Sequence, residues 1–298
     1  MSDSQTLPPD TKLGLIGLGN MGQPMASRLV AAGWHVVGFD MAGSEPRLPA
    51  GTHAAGSVAA VAAETEVMLL SLPDGAAVNA VVNQISTAED RRVDVVIDTS
   101  TIGIDAARTA AEVLAPSGVA YVDAPVSGGV SGAKAGSLAM MVATEPATFT
   151  RHQHMLATIA KNCFHVGGVV GQGQAMKLLN NFLSGTAMTA TGEAIAFGID
   201  HGLDMKTMLD VLNVSSGQNT ATNDKYLKRV LTGTYDAGFA TKLIAKDVKL
   251  YEECVANSGA RSVVGSVVSE QLQRVDAALP GSDFTRIYDF VRDSRRSD

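Results

Sequence analysis

Short apolar runs alternate with alanine-rich stretches through the first half of the chain. Each run is short enough for a strand and is followed by Gly, Asp, Pro or Ser. The runs span residues 12–18, 34–39, 67–72, 93–97, 119–122 and 138–142. This alternation predicts an α/β fold, a doubly wound parallel sheet of the Rossmann type with helices on its faces.

The second half of the chain has a different pattern. Helix-forming residues dominate after Gly173, through Val230 and again over residues 243–279, with polar interruptions at 215–223 and 232–238. This composition predicts an all-α domain. We therefore predict an α/β domain over residues 1–172 and an all-helical domain over residues 173–298. A helix that begins near Gln174 would join them directly.

A glycine-rich turn separates the first predicted strand from the first predicted helix. Residues 17–22 read Gly-Leu-Gly-Asn-Met-Gly. Gly17 would permit the tight turn, Gly19 would let the backbone approach a pyrophosphate, and Gly22 would let the helix pack close to the strand. The N–H groups at the helix start, around Asn20 and Met21, suit phosphate binding. We predict a dinucleotide here rather than a turn that serves only the fold.

Asp40 ends the second predicted strand, 21 residues after Gly19. A carboxylate there would accept hydrogen bonds from the adenosine ribose and repel a 2′-phosphate. No arginine stands at positions 41 or 42, although Arg47 could fold back. The sequence therefore favours NAD over NADP.

Polar segments follow the third and fourth runs. Leu72, Pro73 and Asp74 follow one, and residues 98–101, which end in Thr101, follow the other. Open α/β sheets bind ligands at the carboxyl ends of their strands, so these residues are expected to line the nicotinamide half of the cofactor. The alternative is that they only cap helices.

Lys177 is a candidate for an acid or base in catalysis. It stands in the first turns of the helix near Gln174, with Asn181 and Ser184 on the same face four and seven residues later. The other residues around this helix are mostly apolar, which predicts a helix buried nearly all round with one polar stripe. A desolvated lysine near a helix N-terminus has a lowered pKa, suited to accept a hydroxyl proton while hydride leaves the same carbon. Lys177 is the predicted general base, and Asn181 would orient the substrate.

Two further segments carry polar groups. Residues 123–129 provide the Ser127 hydroxyl and the backbone N–H groups of Gly128 and Gly129, which suit a carboxylate, although a plain glycine-rich loop is the alternative. Lys246 and Asp247 stand together on a later predicted helix. The pattern alone does not distinguish that pair from a solvated charged face.

Composition narrows the class of protein. A net charge of -7 without a basic stripe argues against nucleic acid as a partner. Cys163 and Cys254 stand far apart without nearby ligand residues, so neither a disulfide framework nor a metal site is predicted, which fits a reducing cytoplasm. Neither a signal peptide nor a membrane span is indicated, and residues 1–10 are expected to fray.

In combination these segments resemble the β-hydroxyacid dehydrogenase family over nearly the whole chain. Residues 17–33 resemble its opening fingerprint, 123–136 its substrate loop, 171–181 its catalytic segment and 246–247 its late Lys-Asp pair. Departures are small: Val-Ala-Thr stands at 142–144 where the family often has Val-Gly-Gly, and Gly103 stands where it often has proline.

The resemblance implies an NAD-dependent dehydrogenase of a small 3-hydroxy acid, of the 3-hydroxyisobutyrate type. It implies that Lys177 is catalytic and that Asn181 and the 127–129 loop bind substrate. It also implies that Thr101 and Lys246 contact the cofactor near the nicotinamide, and that the helical domain builds a homodimer or homotetramer.

Competing interpretations share this fold. The 6-phosphogluconate dehydrogenases have a much larger helical domain, and the short chain argues against them. Imine reductases typically lack a lysine at the position of Lys177. A non-catalytic NAD-binding oligomerisation module would be expected to lose Lys177 and Asn181. A reductase of a different small aldehyde acid in the same family remains open.

Overall fold

The computed structural model describes residues 6–294. The chain divides into two compact units, residues 1–177 and 178–298. One long helix begins in the first unit and continues into the second.

The first unit is built on a mostly parallel sheet. Its strands are β1 (Lys12–Ile16), β2 (His35–Phe39), β3 (His53–Ala54), β4 (Val67–Leu70), β5 (Val95–Asp98), β6 (Ala120–Asp123), β7 (Val126–Ser127), β8 (Ala139–Ala143) and β9 (Asn162–Gly167). The order is β3-β2-β1-β4-β5-β6-β8-β7, and β9 pairs with β8. The pairings from β3 to β6 are all parallel, whereas β8 runs antiparallel to β6 and β7. The predicted Rossmann-type fold is confirmed.

Helices connect these strands. They are α1 (Gly22–Ala31), α2 (Val58–Glu64), α3 (Gly75–Ser86), α4 (Ile104–Leu114), α5 (Gly129–Ala135) and α6 (Pro146–Leu156). Successive residues of β4 belong to two different apolar clusters: Val67 and Leu69 lie in one, Met68 and Leu70 in the other. Because side chains alternate along a strand, the sheet is buried on both faces, as a parallel sheet requires.

The second unit is helical, as predicted. The long helix α7 (Gln172–Asp200) enters it, followed by α8 (Met205–Leu212), a π-helix (Ala221–Val230), α9 (Thr241–Asn257), α10 (Val263–Ala278) and α11 (Ile287–Ser294). Tyr226, Ile244 and Leu272 lie in its core. The predicted polar break at 215–223 is shorter than expected, because the Asn219 Oδ1 accepts the N–H groups of Ala221 and Thr222 and starts the π-helix.

The expectation that residues 1–10 fray is wrong at Leu7. Leu7 is buried, and its N–H donates to the Arg151 carbonyl at 3.1 Å. Residues 1–5 lie outside the described residues. Within the described part of the chain, no helix is both long and apolar enough to cross a membrane.

Candidate cofactor and active site

The three glycines of the first turn have different surroundings. Gly17 has a φ of +90°, and a Cβ there would lie 2.3 Å from the Ser71 carbonyl oxygen. A Cβ on Gly22 would lie 1.8 Å from the Gly17 carbonyl oxygen. A Cβ on Gly19 would meet no atom within 4 Å from residues 6–294, apart from its two chain neighbours. The fold therefore requires glycine at 17 and 22, whereas position 19 faces open space.

The start of α1 has the features of an anion site. Met21 supplies no side-chain cap, and the first turn has no acidic residue. By contrast, the Ser57 side chain caps α2 and the Asp74 side chain caps α3. Because the first N–H groups of a helix lack partners within it, an uncapped start beside the open space at Gly19 fits a pyrophosphate.

Asp40 links the end of β2 to the glycine turn. Its Oδ2 accepts the Leu18 N–H at 2.7 Å, and its Oδ1 accepts the Ala42 N–H at 2.8 Å. Each carboxylate oxygen has a second lone pair that a ribose hydroxyl could use. Arg47 does fold back: its Nη1 lies 3.7 Å from Asp40 Oδ2. A carboxylate and a guanidinium therefore stand together where the ribose is expected.

Three of the residues 98–101, which are predicted to line the nicotinamide half, also have structural contacts. Asp98, Thr99 and Ser100 are buried. The Thr99 hydroxyl donates to the Leu70 carbonyl, and the Ser100 hydroxyl accepts the Leu72 N–H at 2.9 Å. The side chains of Thr99 and Ser100 thus hold the segments after β4 and β5 together, and a cofactor contact of residues 98–101 stays a prediction.

The residues after β4 divide in the same way. Asp74 is the N-cap of α3, and its Oδ1 accepts the Ala77 N–H at 2.9 Å. Pro73 is exposed, and Leu72 is half-buried. The capping alternative therefore explains Asp74, while Leu72 and Pro73 stay candidates for the cofactor.

Gln174 is a buried residue that sequence reasoning missed. Its Oε1 accepts the N–H groups of Ile102 and Gly103 at 2.9 and 3.1 Å. Its Nε2 donates to the Ser100 carbonyl at 3.1 Å and to Asp123 Oδ1 at 2.8 Å. The side chain thus joins the loop after β5 to the first turn of α7.

Asp123 caps α7 from the end of β6. Its Oδ2 accepts the N–H groups of Gly171 and Gln174 at 2.9 and 3.1 Å. Burial raises the pKa of Asp123 to about 6, although these hydrogen bonds act in the opposite direction. The sequence placed Asp123 in a substrate-binding segment, whereas the structure gives it a capping role. The one feature of the sequence that could have indicated this capping role is the position of Asp123 at the end of a buried strand.

Lys177 lies on α7 one turn after Gln174. It is 7% exposed, and Asn181 is 3% exposed. The prediction of a helix buried all round is wrong, because Met176, Leu179 and Leu183 are exposed, the last by 60%. Lys177 and Asn181 are thus buried and Ser184 is half-buried, and a catalytic role for Lys177 stays a prediction.

The predicted substrate loop follows β7. Ser127 and Gly129 are half-buried, and Gly128 is exposed. Gly128 and Gly129 have φ values of +131° and +63°, which favour glycine. The loop thus presents a hydroxyl and backbone N–H groups near the surface of the first unit. Binding of a carboxylate there stays a prediction.

The Lys-Asp pair of the second unit is not simply a solvated charged face. Asp247 is buried, and its Oδ2 accepts the Asn181 Nδ2–H at 2.6 Å. Lys246 Nζ lies 3.0 Å from Asp247 Oδ1. Asp247 therefore fixes the amide of Asn181, a role that no local pattern indicates, because 66 residues separate the two.

Family models match both parts of the chain. Residues 12–167 match the NAD-binding domain of 6-phosphogluconate dehydrogenase. Residues 171–291 match a domain described as the NAD-binding domain of NADP-dependent 3-hydroxyisobutyrate dehydrogenase. The dinucleotide-binding features of the first unit thus have counterparts in known nicotinamide-dependent oxidoreductases.

Individual relatives agree with these models. The chain is 37% identical over 243 residues to 2-(hydroxymethyl)glutarate dehydrogenase of Eubacterium barkeri, covering 80% of each chain. It is 34% identical to 3-hydroxyisobutyrate dehydrogenase of Pseudomonas aeruginosa, over 95% of this chain and 99% of that one. The structure of Mycobacterium tuberculosis 3-hydroxyisobutyrate dehydrogenase with L-serine superposes with a TM-score of 0.87 at 31% identity, covering 95% and 99% of the two chains.

The fold and the site define an NAD(P)-dependent oxidoreductase that acts on hydroxy acids. The chain belongs to the β-hydroxyacid dehydrogenase family.

Proposed function

We propose that this protein transfers a hydride between NAD and a small 3-hydroxy acid of the 3-hydroxyisobutyrate type, with Lys177 as general acid and base. The observation that carries the proposal is the burial of Lys177 one turn after a helix start fixed by Asp123 and Gln174. The names of two relatives, 3-hydroxyisobutyrate and 2-(hydroxymethyl)glutarate dehydrogenase, both describe acids with a CH₂OH group next to the carboxyl-bearing carbon. That shared group supports the substrate class.

The protein's own residues manage the proton and the substrate's orientation. NAD, when bound, accepts the hydride from the carbinol carbon. Lys177 takes the hydroxyl proton during oxidation and returns it to the developing alkoxide during reduction. Asn181, one turn further along α7 and fixed by Asp247, orients the reacting hydroxyl. Ser127, Gly128 and Gly129 bind the substrate carboxylate, and Lys246 and Thr101 contact the cofactor.

The choice of NAD over NADP rests on Asp40. Its carboxylate would accept the ribose hydroxyls and repel a 2′-phosphate. Arg47, 3.7 Å away, would attract that phosphate if Asp40 were neutral. We therefore expect Asp40→Asn to raise kcat/KM for NADP about tenfold and to lower it for NAD. The measurement is kcat/KM with each cofactor, and the double variant Asp40→Asn with Arg47→Ala should lose the gain with NADP.

The proposal also covers assembly and location. We propose a homodimer or homotetramer in the cytoplasm, with neither nucleic acid nor a membrane as a partner. The low cysteine content, two residues in 298, supports a reducing compartment. A reductase of a different small aldehyde acid is the nearest alternative, and the substrate panel below distinguishes the two.

The deciding experiment measures NADH formation at mildly alkaline pH with 3-hydroxyisobutyrate, glycerate, threonate, serine and 3-hydroxypropionate. We expect oxidation of at least one acid, and a loss of about 10² to 10⁴-fold in kcat for Lys177→Ala. Lys249→Ala, which removes an exposed lysine of α9, is the matched control and should retain full activity. Full activity in Lys177→Ala would contradict the mechanism. Tight NAD binding without turnover of any acid, or of the corresponding aldehydes with NADH, would favour a non-catalytic module.

A further inference from the structure

A single side chain joins the two segments that carry the proposed chemistry of the first unit. Gln174 contacts the backbone of residues 100–103, the loop that includes Thr101. It also belongs to the first turn of α7, and Lys177 lies three residues later on the same helix. Any movement of Gln174 would therefore change the position of the base, the loop or both.

The donors and acceptors of this network fit together in only one way. Because two N–H groups face the Gln174 Oε1, the amide orientation is fixed, and its Nε2 must donate to Ser100 and Asp123. Asp123 then faces three donors: this Nε2 and two backbone N–H groups. Both oxygens of Asp123 already accept a hydrogen bond, so a proton on either one weakens the bonds that the ionised carboxylate accepts most strongly.

The neighbours of Asp123 act on its charge in opposite directions. Asp98 on β5 is a buried carboxyl group whose Oδ2 accepts the Tyr121 hydroxyl at 2.7 Å. Tyr121 itself lies on β6, and burial raises its pKa, so it stays neutral. Arg108 of α4 lies beside Gly171, since a Cβ on that glycine would be 3.5 Å from its Nε. Burial and Asp98 oppose ionisation of Asp123, whereas the three donors favour it.

We propose that Asp123 and Gln174 are positioning residues that hold Lys177 in place relative to the loop at 100–103, and that they do so only while Asp123 is ionised. The effect of this positioning on catalysis rests on the proposed function. Since the pKa of Asp123 is raised to about 6, the ionised fraction falls about tenfold for each pH unit well below that value. The rate of reaction should fall with it, with an acid limb set by Asp123 rather than by Lys177.

The first test is a pH profile in the direction of aldehyde reduction. The probe is 2-methyl-3-oxopropanoate, the aldehyde of 3-hydroxyisobutyrate, with saturating NADH from pH 5 to 9. In this direction Lys177 must carry a proton, so its deprotonation lowers the rate only on the alkaline side. We expect an acid limb in kcat with a midpoint near 6, where Asp123 titrates.

Three variants separate positioning from general structural damage. Asp123→Asn should lower kcat about 10 to 100-fold at pH 7.5 with little change in KM, and its acid limb should disappear. In Gln174→Glu, kcat should rise rather than fall as the pH is lowered through the acid limb. A protonated carboxyl at position 174 can donate a hydrogen bond to Asp123, whereas an ionised one repels it. Glu66→Gln is the control, since Glu66 also accepts a backbone N–H, from Lys12 at the opposite end of the sheet. An unchanged acid limb in Asp123→Asn would overturn the proposal.

A second measurement does not depend on turnover. Hydrogen exchange is measured at pH 5 and pH 7.5 for peptides that cover residues 100–104 and 169–175. The results are expressed as protection factors. We expect both peptides to lose protection together at pH 5 in the wild type and in Glu66→Gln. Equal protection at the two pH values would contradict the proposal. If no substrate is turned over but this exchange pattern is seen, the proposed function fails while the ionisation-dependent positioning stands.

Discussion

Glycines 17, 19 and 22 belong to one motif but serve different purposes. The Ser71 carbonyl oxygen leaves no room for a Cβ on Gly17, and the Gly17 carbonyl oxygen leaves none for a Cβ on Gly22. At Gly19, no atom of the described residues beyond its two chain neighbours lies within 4 Å of where a Cβ would be. The motif therefore combines two residues that the fold requires with one that only a bound molecule requires.

This difference predicts opposite effects of two alanine substitutions. Gly19→Ala should leave the free energy of unfolding within about 0.5 kcal/mol of the wild type, because the methyl group meets only solvent. It should raise the Kd for NADH at least tenfold, since the methyl group occupies the space expected for the pyrophosphate. Gly22→Ala should destabilise the protein strongly. Urea denaturation and NADH titration of both variants provide the measurement, and normal NADH binding by Gly19→Ala would contradict the assigned cofactor position.

Cys163 provides a residue-scale prediction about reactivity. Burial raises the pKa of its thiol to about 11, and its Sγ–H lies 3.3 Å from the Ala160 carbonyl. Because the thiolate is the nucleophile, alkylation of Cys163 by iodoacetamide at pH 8 should be about 100-fold slower than that of a thiol of ordinary pKa. Mass spectrometry of peptides over time, with Cys163→Ser to assign the slow site, measures this. Alkylation at the rate of free glutathione would show that the thiol is accessible.

Residue types with a local signature could be predicted from the sequence. The glycine turn has such a signature, and Lys177 could be singled out because its helix neighbours are apolar. Gln174 could not, because a glutamine in a helix resembles a solvated residue, and its partners Ile102 and Asp123 stand 72 and 51 residues away. Tertiary contacts of that separation leave no periodic pattern in the chain.

At the scale of elements, the start of α7 is set by a strand rather than by its own cap. A Cβ on Gly173 would lie 2.7 Å from the Met141 carbonyl oxygen and 2.9 Å from that of Asp123. The helix start is thus pressed against the backbone of β6 and β8. This close approach allows the Asp123 carboxylate to reach the N–H groups of residues 171 and 174.

This packing reverses the usual effect of alanine in a helix. Replacing glycine by alanine in a helix usually stabilises it by about 0.5–1 kcal/mol. Here the added methyl group would force the helix away from two carbonyl groups, so Gly173→Ala should lower the free energy of unfolding by about 1–3 kcal/mol. It should also lower kcat, since Lys177 would move with the helix. Urea denaturation and steady-state kinetics measure both effects, and a stabilised variant would show that α7 does not approach the sheet this closely.

The elements with clear patterns were predicted, and those without were not. Each of the six predicted runs overlaps one strand, because a strand of a doubly buried sheet is almost wholly apolar. β3 and β7 have only two residues each, too short for any pattern. β9 has the sequence Asn-Cys-Phe-His-Val-Gly and is largely exposed or half-buried, so it lacks an apolar run.

At the scale of the whole molecule, each compact unit has its own apolar core. Trp34, the only tryptophan of the chain, is buried in a core cluster of the first unit. The core of the second unit is formed around Tyr226, Ile244 and Leu272. Tryptophan fluorescence therefore reports on unfolding of the dinucleotide-binding unit alone.

This allows cofactor binding to be assigned to one unit. NAD at 100 times its Kd should stabilise the unit that binds it by about 2.7 kcal/mol, and so raise the urea midpoint of the Trp34 fluorescence transition. Gly19→Ala should show a much smaller rise at the same NAD concentration. Absence of any rise in the wild type, despite saturation measured by calorimetry, would place the cofactor elsewhere.

The open space at Gly19 also has an evolutionary consequence. Because the described residues beyond its two chain neighbours leave open space around a side chain at position 19, a gene duplicate released from cofactor binding could accumulate substitutions there without losing its fold. Positions 17 and 22 would remain glycine in the same duplicate, since the scaffold itself selects them. Among descendants of such a gene, the residue at position 19 would therefore distinguish lineages that still bind a dinucleotide from lineages that keep only the scaffold.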